Sequence, residues 1–306
     1  MTVRVVAIGG GHGLARALAA LRLAGAEPTA VVTVADDGGS SGRLREQLGV
    51  LPPGDLRMAL LALARNRPLA DALGHRFTAG DLDGHALGNL LLVALAERAG
   101  GDFVAALAQA GDLLDCAGRV LPATVEPVRL HGRVGGLDVA GQVRIATAQA
   151  PVERVWLEPD TPAACDEAVD AIGDADLVVL GPGSLYTSVI AVLAVPGIAK
   201  AVSDAPCPVV YVANARTQVG ETSGLDLDAH VAALLAHVPG LRLHAVVAHD
   251  GPAADLPGEA LAPEMGAARE AGLVRADLLS RGTDGRPSWG HDPARLAAAL
   301  APWLAR

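Results

Sequence analysis

Three short loops carry the residue types that could do chemistry. The densest is VADDGGSSGRLR, residues 34–45, which sets two adjacent aspartates, two glycines and two serines between an apolar run and a helical one. Asp36 falls at the end of a strand-like run, about where a nucleotide-binding sheet places the carboxylate that accepts ribose hydroxyls. Asp37 beside it suits a divalent cation or a second hydroxyl, Ser40 and Ser41 offer helix caps and donors, and Arg43 and Arg45 add positive charge. The second loop is Gly9-Gly10-Gly11-His12-Gly13, whose glycines let backbone amides close on an anion at a helix N-terminus. It departs from the dinucleotide fingerprint G-x-G-x-x-G, because Leu14 stands at the last glycine position, and a tight turn without a ligand would use the same residues. The third is Gly181-Pro182-Gly183-Ser184, followed by Leu185-Tyr186-Thr187-Ser188. Four hydroxyls and several backbone donors gather there with no carboxylate among them, a composition that suits a phosphate or a plain serine cap.

Residue counting removes several other chemistries. A Walker A loop needs G-K-[ST], and the sole lysine, Lys200, sits in GIAKAV. The metalloprotease pattern H-E-x-x-H is absent from the sequence. Of nine histidines, His12 and His85 lie in glycine-rich loops where they can face a ligand.

The bulk composition narrows the class. Hydrophobic residues make up 51% of 306 and charged residues 19%, so there is ample material for a core. Aromatics are only 2%, which leaves the core to Leu, Val, Ala and Ile. A formal net charge of -10 argues against non-specific nucleic-acid binding, which needs basic residues in excess. Cys116, Cys165 and Cys207 show no C-x-x-C spacing and fit buried thiols in a reducing cytoplasm. No run of about 20 apolar residues is present, so membrane insertion is not expected, and a soluble cytoplasmic protein is.

The elements that must position these loops alternate between strand and helix. Strands are predicted at 3–8, 29–34, 176–180, 209–212 and 241–247. Helices are predicted at 14–24, 42–48, 55–65, 87–98, 103–114, 186–193, 227–237 and 293–304, with 252–263 as a loop. Between 124 and 157 the period changes, with valines alternating among Gly and Asp turns, which predicts an antiparallel β-rich insertion. The expectation is one α/β domain over residues 1–306, a parallel sheet flanked by helices with that insertion.

In order, GGGHG, VADDGGSSGRLR, PPGDLR, GHALGNLLL, GPGSLYTSVI, VPGI and YVANARTQVGET resemble the CofD/YvcK superfamily, and more narrowly the YvcK-like gluconeogenesis factors. The stretches run from Gly9 to Thr222 and cover most of the chain. The resemblance implies a Rossmann-like fold, a homodimer, and a nucleotide-type ligand at the strand ends. It implies that Gly10, Gly11, His12 and Gly13 line the ligand's approach. Asp36 and Asp37 would meet sugar hydroxyls or metal, with Ser40, Ser41 and Arg43 beside them. Asn89 would read a base or sugar edge, Gly183, Ser184 and Thr187 would hold diphosphate, and Asn214 and Thr217 would reach the same rim. The sequence departs from the family pattern at His12 (commonly threonine), Met58 (asparagine), Ala191-Val192 (Pro-Asn) and Val219 (proline). Those changes remove two amides from the base- or sugar-reading set.

Two functions follow from the resemblance. The YvcK-like branch implies a regulatory protein that binds a UDP-sugar such as UDP-N-acetylglucosamine and links gluconeogenic growth to cell shape and wall synthesis, with a wall-synthesis protein as partner. The CofD branch implies a magnesium-dependent 2-phospholactate-type transferase with Mg2+ at Asp36 and Asp37. That branch carries a bulky aromatic segment where this chain has Gly38-Gly39-Ser40-Ser41-Gly42, so the regulatory reading is favoured and no catalytic residue is nominated. A nicotinamide oxidoreductase, suggested by the first glycine loop alone, lacks any residue set for hydride transfer.

Overall fold

The computed structural model describes residues 2–251, 257–261, 271–284 and 286–305, so most of the loop expected at 252–263 lies outside the described residues. The chain opens with β1 (Arg4–Gly9), α1 (Gly11–Leu23) and β2 (Glu27–Val32). Helices α2 (Gly39–Leu48), α3 (Gly54–Leu63), α4 (Arg67–Gly74), α5 (Leu87–Arg98) and α6 (Phe103–Leu113) precede β3 (Arg119–Pro122). An excursion follows through β4 (Arg129–Val134), β5 (Leu137–Ala140), α7 (Gln142–Ala146) and β6 (Val152–Glu158). The alternation resumes with α8 (Asp166–Gly173) and β7 (Leu177–Leu180), then a π-helical turn, Leu185–Ile190, running into α9 (Ala191–Leu193). The rest is α10 (Pro196–Ser203), β8 (Val209–Val212), α11 (Leu227–His237), β9 (Ala245–His249), β10 (Gly272–Ala276), β11 (Leu279–Arg281), β12 (Pro287–His291) and α12 (Pro293–Leu304).

Seven strands form one sheet in the order β10-β9-β8-β7-β1-β2-β3, and every neighbouring pair is parallel. A parallel sheet covered by helices on both faces must be apolar on both sides of each strand. The sequences obey this: RVVAIG is buried after its first residue, and LVVL and VVYV are buried throughout. Helix α1 presents Leu14, Ala17, Leu18 and Leu21 on one buried stripe, the spacing that lays an amphipathic helix against a sheet. Strands β4, β5 and β6 form the separate antiparallel sheet expected of the insertion.

The strand order fixes where a ligand goes. From β1 the chain winds one way to β2 and β3, then returns to the other side of β1 at β7. Open α/β sheets bind ligands in the crevice this reversal leaves at the carboxyl ends of the two central strands. Here Ile8 lies in register with Leu180, and the Gly181 amide donates to the Ile8 carbonyl at 2.9 Å, so the glycine loops after β1 and β7 stand side by side.

Several boundaries shift from the sequence reading. Helix α2 begins at Gly39 rather than Gly42, with Gly38 as its cap residue and no side-chain cap bond. Ser40 and Ser41 therefore sit inside the first turn, and their hydroxyls serve tertiary contacts in place of capping. The predicted strand at 241–247 starts later, at Ala245, because His244 turns its Nδ1 to accept the Val209 amide at 3.0 Å. Strand β3 belongs to the main sheet, and the short helix α7 lies within the insertion; the alternating valines foretold neither. Among the described residues no single helix is long and apolar enough to cross a membrane.

Candidate functional site

The three glycine-rich loops converge on one face. Gly13 packs so closely on the β7 loop that a Cβ there would lie 2.4 Å from the Pro182 carbonyl oxygen, so only glycine fits. On the other side, a Cβ at Gly10 would lie 2.4 Å from Asp55 Oδ2, and one at Gly54 would lie 2.4 Å from Ser41 Oγ and 3.0 Å from Asp36 Oδ2. Asp55 thus joins the first loop to the aspartate-serine loop.

Two cavities meet at that residue. One, of about 600 Å³, is walled by Gly10, Gly11, His12, Gly13 and Arg16 on α1, by Pro182, Gly183, Ser184 and Ser188, and by Asn214, Ala215, Arg216, Gln218, Leu279, Gly290 and His291. Gln142 of α7 closes its rim, which brings the insertion into the site. The other, of about 810 Å³, is walled by Asp36, Gly38, Ser40, Ser41, Arg43, Arg57, Met58, Arg76, Gly84 and Asn89. Asp55 borders both.

The first cavity lies at the N-terminus of α1 and has groups that could hold an anion. Unpaired amides of a first helical turn carry a partial positive charge, and Arg16 and Arg216 stand on the same wall. Part of its wall is apolar: Ala215 and Leu279 line it and form a small buried cluster of their own. Burial drives the His291 imidazole beside them down to about 4, so it is neutral near pH 7.

Asp55 was not singled out from the sequence and proves central. Its carboxyl is raised to about 7, first by burial and then by the charge of Asp36; the Gly11 amide and Arg57 pull it back. Asp36 is raised too, by burial, against the opposing hydrogen bonds of Gly38 and Ser41. The Gly38 amide donates to Asp36 Oδ1 at 2.9 Å, and the Gly54 amide to Ser41 Oγ at 3.0 Å.

The second cavity rests on a buried polar chain. Arg57 Nε donates to Asn89 Oδ1 at 2.8 Å, Asn89 Nδ2 donates to Ser40 Oγ at 3.0 Å, and Ser40 Oγ pairs with His85 Nδ1 at 3.0 Å. Helices α2, α3 and α5 and the loop before α5 are tied together, and the side chains of Ser40 and Asn89, both expected to meet a ligand, are engaged in this chain.

Three expected contacts lie elsewhere. Asp37 turns away from Asp36: its two oxygens accept the amides of Gln142 at 3.0 Å and Val143 at 2.9 Å, fastening α7 to the α2 loop. The aspartate pair therefore does not assemble a shared donor set for Mg2+, and among the described residues no cluster of three or more His, Cys, Asp or Glu suits a metal ion. Thr187 is buried, with its hydroxyl donating to Glu221 Oε2 at 3.0 Å. Thr217 is buried and pairs through its amide and hydroxyl with the backbone of Glu259 at 2.8 and 2.9 Å.

The β7 loop is also more self-sufficient than its composition suggested. Glu221 Oε1 accepts the amides of Tyr186 at 2.6 Å and Thr187 at 3.0 Å, so a carboxylate from 34 residues downstream already caps this helical turn. The Asn214 side chain brackets Gly183, accepting from its amide at 3.3 Å and donating to its carbonyl at 2.9 Å. Ser184 Oγ accepts from Gln218 Nε2 at 2.9 Å, and its hydroxyl also hydrogen-bonds the Glu221 carboxylate. In the first turn of α1 the Gly11 amide is taken by Asp55, so the amides left for an anion are those of His12 and Gly13, with the β7 loop as the facing wall. Glu221 was legible only as part of the TQVGET stretch, with nothing local to mark it as a cap.

Comparison with known proteins agrees with this architecture. A family profile described as "2-phospho-L-lactate transferase CofD" matches residues 5–279. The chain is 44% identical over its whole length to a Mycobacterium tuberculosis protein, 92% of which it covers, provisionally named a gluconeogenesis factor. A Deinococcus radiodurans protein with the same provisional name is 44% identical over 97% of the chain, which spans 65% of that relative's length. A Halalkalibacterium halodurans protein named gluconeogenesis factor is 42% identical over 82% of the chain and 79% of its own. Among solved structures, one from Bacillus halodurans superposes with a TM-score of 0.91 at 35% identity, covering 98% of this chain and 100% of that one. With the parallel sheet, the glycine loops at its switch point and these full-length relatives in agreement, the chain belongs to the CofD/YvcK family, among the gluconeogenesis factors.

Proposed function

We propose that this protein is a regulatory nucleotide-sugar receptor that binds a UDP-sugar such as UDP-N-acetylglucosamine and links gluconeogenic carbon metabolism to cell shape and wall synthesis. The observation that carries the reading is the junction of two cavities of different character across the α1 N-terminus. A diphosphate over the first turn of α1 lies between the apolar wall of Ala215 and Leu279, suited to a base, and the polar wall of Asp36, Ser40 and Asn89, suited to carbohydrate hydroxyls. A dimer and a wall-synthesis partner belong to the same proposal.

The transferase alternative gains nothing from the Asp36–Asp37 pair, since Asp37 is spent on backbone amides. Differential scanning fluorimetry tests the receptor reading. UDP-N-acetylglucosamine at about 1 mM should raise the unfolding midpoint by roughly 2 °C or more, because a ligand held only by the native state stabilises it by mass action. No shift with any UDP-sugar would count against it.

A further inference from the structure

We propose that the cavity enclosed by Arg43, Arg57 and Arg76 is a seat for a compact oxyanion, a carboxylate or phosphate, lying beyond the diphosphate over α1. Three guanidinium groups from three separate elements border this space. Each is held in place by a neutral oxygen. Arg43 Nη2 donates to the Asp83 carbonyl at 2.6 Å, Arg76 Nη1 to the Gly84 carbonyl, and Arg57 Nε to the Asn89 amide oxygen at 2.8 Å. Among the described residues none of the three forms an ion pair with a carboxylate, although surface arginines elsewhere in the chain do. Arg57 is only 9% exposed, and the Asn89–Ser40–His85 chain fixes its orientation, so its ordering cost is already met by the fold.

Acidic groups also border the cavity, so the sign of the local field must be decided. Asp36, Asp55 and Asp83 are the candidates. At Arg57 the repulsion from Arg76 outweighs the attraction of Asp55. At His85 the charges that act are Arg43 and Arg76, both of which, with burial, push the imidazole towards its neutral form. At these two groups the positive charges prevail, whereas at Asp55 the charge of Asp36 outweighs that of Arg57, so the positive field belongs to the Arg43, Arg57 and Arg76 side of the cavity. Converging guanidinium groups in a concave, partly desolvated space are how proteins hold carboxylates and phosphates.

The oxyanion has two sources: an acidic substituent on the sugar of a bound nucleotide, or a separate phosphate ion. The first source rests on the nucleotide-sugar reading and the second does not, so the experiment separates them. The full chain is titrated calorimetrically, at fixed ionic strength, with UDP-glucose against UDP-glucuronate and with UDP-N-acetylglucosamine against its 3-O-lactyl ether. If the sugar carries the anion, the acidic member of at least one pair binds about tenfold tighter or more, and in Arg76→Gln that ratio falls below about threefold. If the anion is separate, neither pair discriminates. Inorganic phosphate at about 10 mM then raises the unfolding midpoint of the wild type, the shift is lost in Arg43→Gln and Arg76→Gln, and it persists in Arg98→Gln at the exposed end of α5. Failure of every nucleotide-sugar to bind would remove the proposed function while the phosphate measurement still decides this point. The absence of both an acidic preference and an arginine-dependent phosphate shift would overturn the proposal.

Discussion

Replacing Glu221 with alanine is expected to lower the stability of the protein by about 3–5 kcal/mol, the largest single effect foreseen. The carboxylate accepts the Tyr186 and Thr187 amides and the Thr187 hydroxyl, and all of these groups are buried. Truncation would strand three donors away from water, and each unsatisfied buried group costs roughly 1–3 kcal/mol. Burial raises the Glu221 carboxyl and the amides of Thr187 and Tyr186 oppose that rise, so the same hydrogen bonds that cap the turn favour the charged form. Glu221→Gln keeps one acceptor oxygen and should cost less than the alanine change. Thermal unfolding of the two variants checks this. A midpoint for Glu221→Ala within about 1 °C of wild type would mean that the π-helical turn does not depend on its carboxylate cap.

The second large effect concerns Asp55 and depends on pH. Its folded-state value of about 7 stands well above the ordinary 3.8, because burial and the neighbouring Asp36 disfavour the charge. A raised carboxyl binds more protons folded than unfolded, so stability falls as pH rises from about 4 towards 7 and levels off above. Asp55→Asn removes that penalty while keeping an oxygen for the Gly11 amide. The variant should therefore be more stable than wild type by up to about 4 kcal/mol at pH 8, with the gap closing as pH approaches 4. Urea unfolding at the two pH values reads this directly, and a gap that widened towards acid would refute the assignment. The same charge sits beside the proposed anion seat. Wild-type affinity for a UDP-sugar should weaken by up to about tenfold between pH 6 and 8, and Asp55→Asn should flatten the dependence.

The sequence disclosed the frame of the fold more readily than the wiring of the site. Helices at 87–98, 227–237 and 293–304 have the bounds expected from their periodicity, and the central strands of the sheet are the Val-rich runs that burial on both faces demands. Short elements were harder to read. Helix α4 carries an Asn66 cap and a proline in its first turn, but eight residues give too little periodicity to stand out. The glycine loops could be read because their composition is local. Asp55 followed a Pro-Pro-Gly stop and looked like the acidic first turn of an ordinary helix; its role comes from facing Gly10, a contact 45 residues long in sequence. Asp37 and Thr187 had the right chemistry in the right loops, and the partners that claim them, the α7 amides and Glu221, arrive from 105 and 34 residues away. Composition names the groups able to bind a ligand, and tertiary structure decides which have already been used.

The most direct test of the account is a crystal structure of the protein with UDP-N-acetylglucosamine bound. The expected result places the diphosphate within hydrogen-bond reach of the α1 amides of His12 and Gly13, the base against Ala215 and Leu279, and the sugar towards Asp36 and Asn89. A nucleotide lodged away from that crevice, or one whose phosphates avoid the α1 N-terminus, would contradict it.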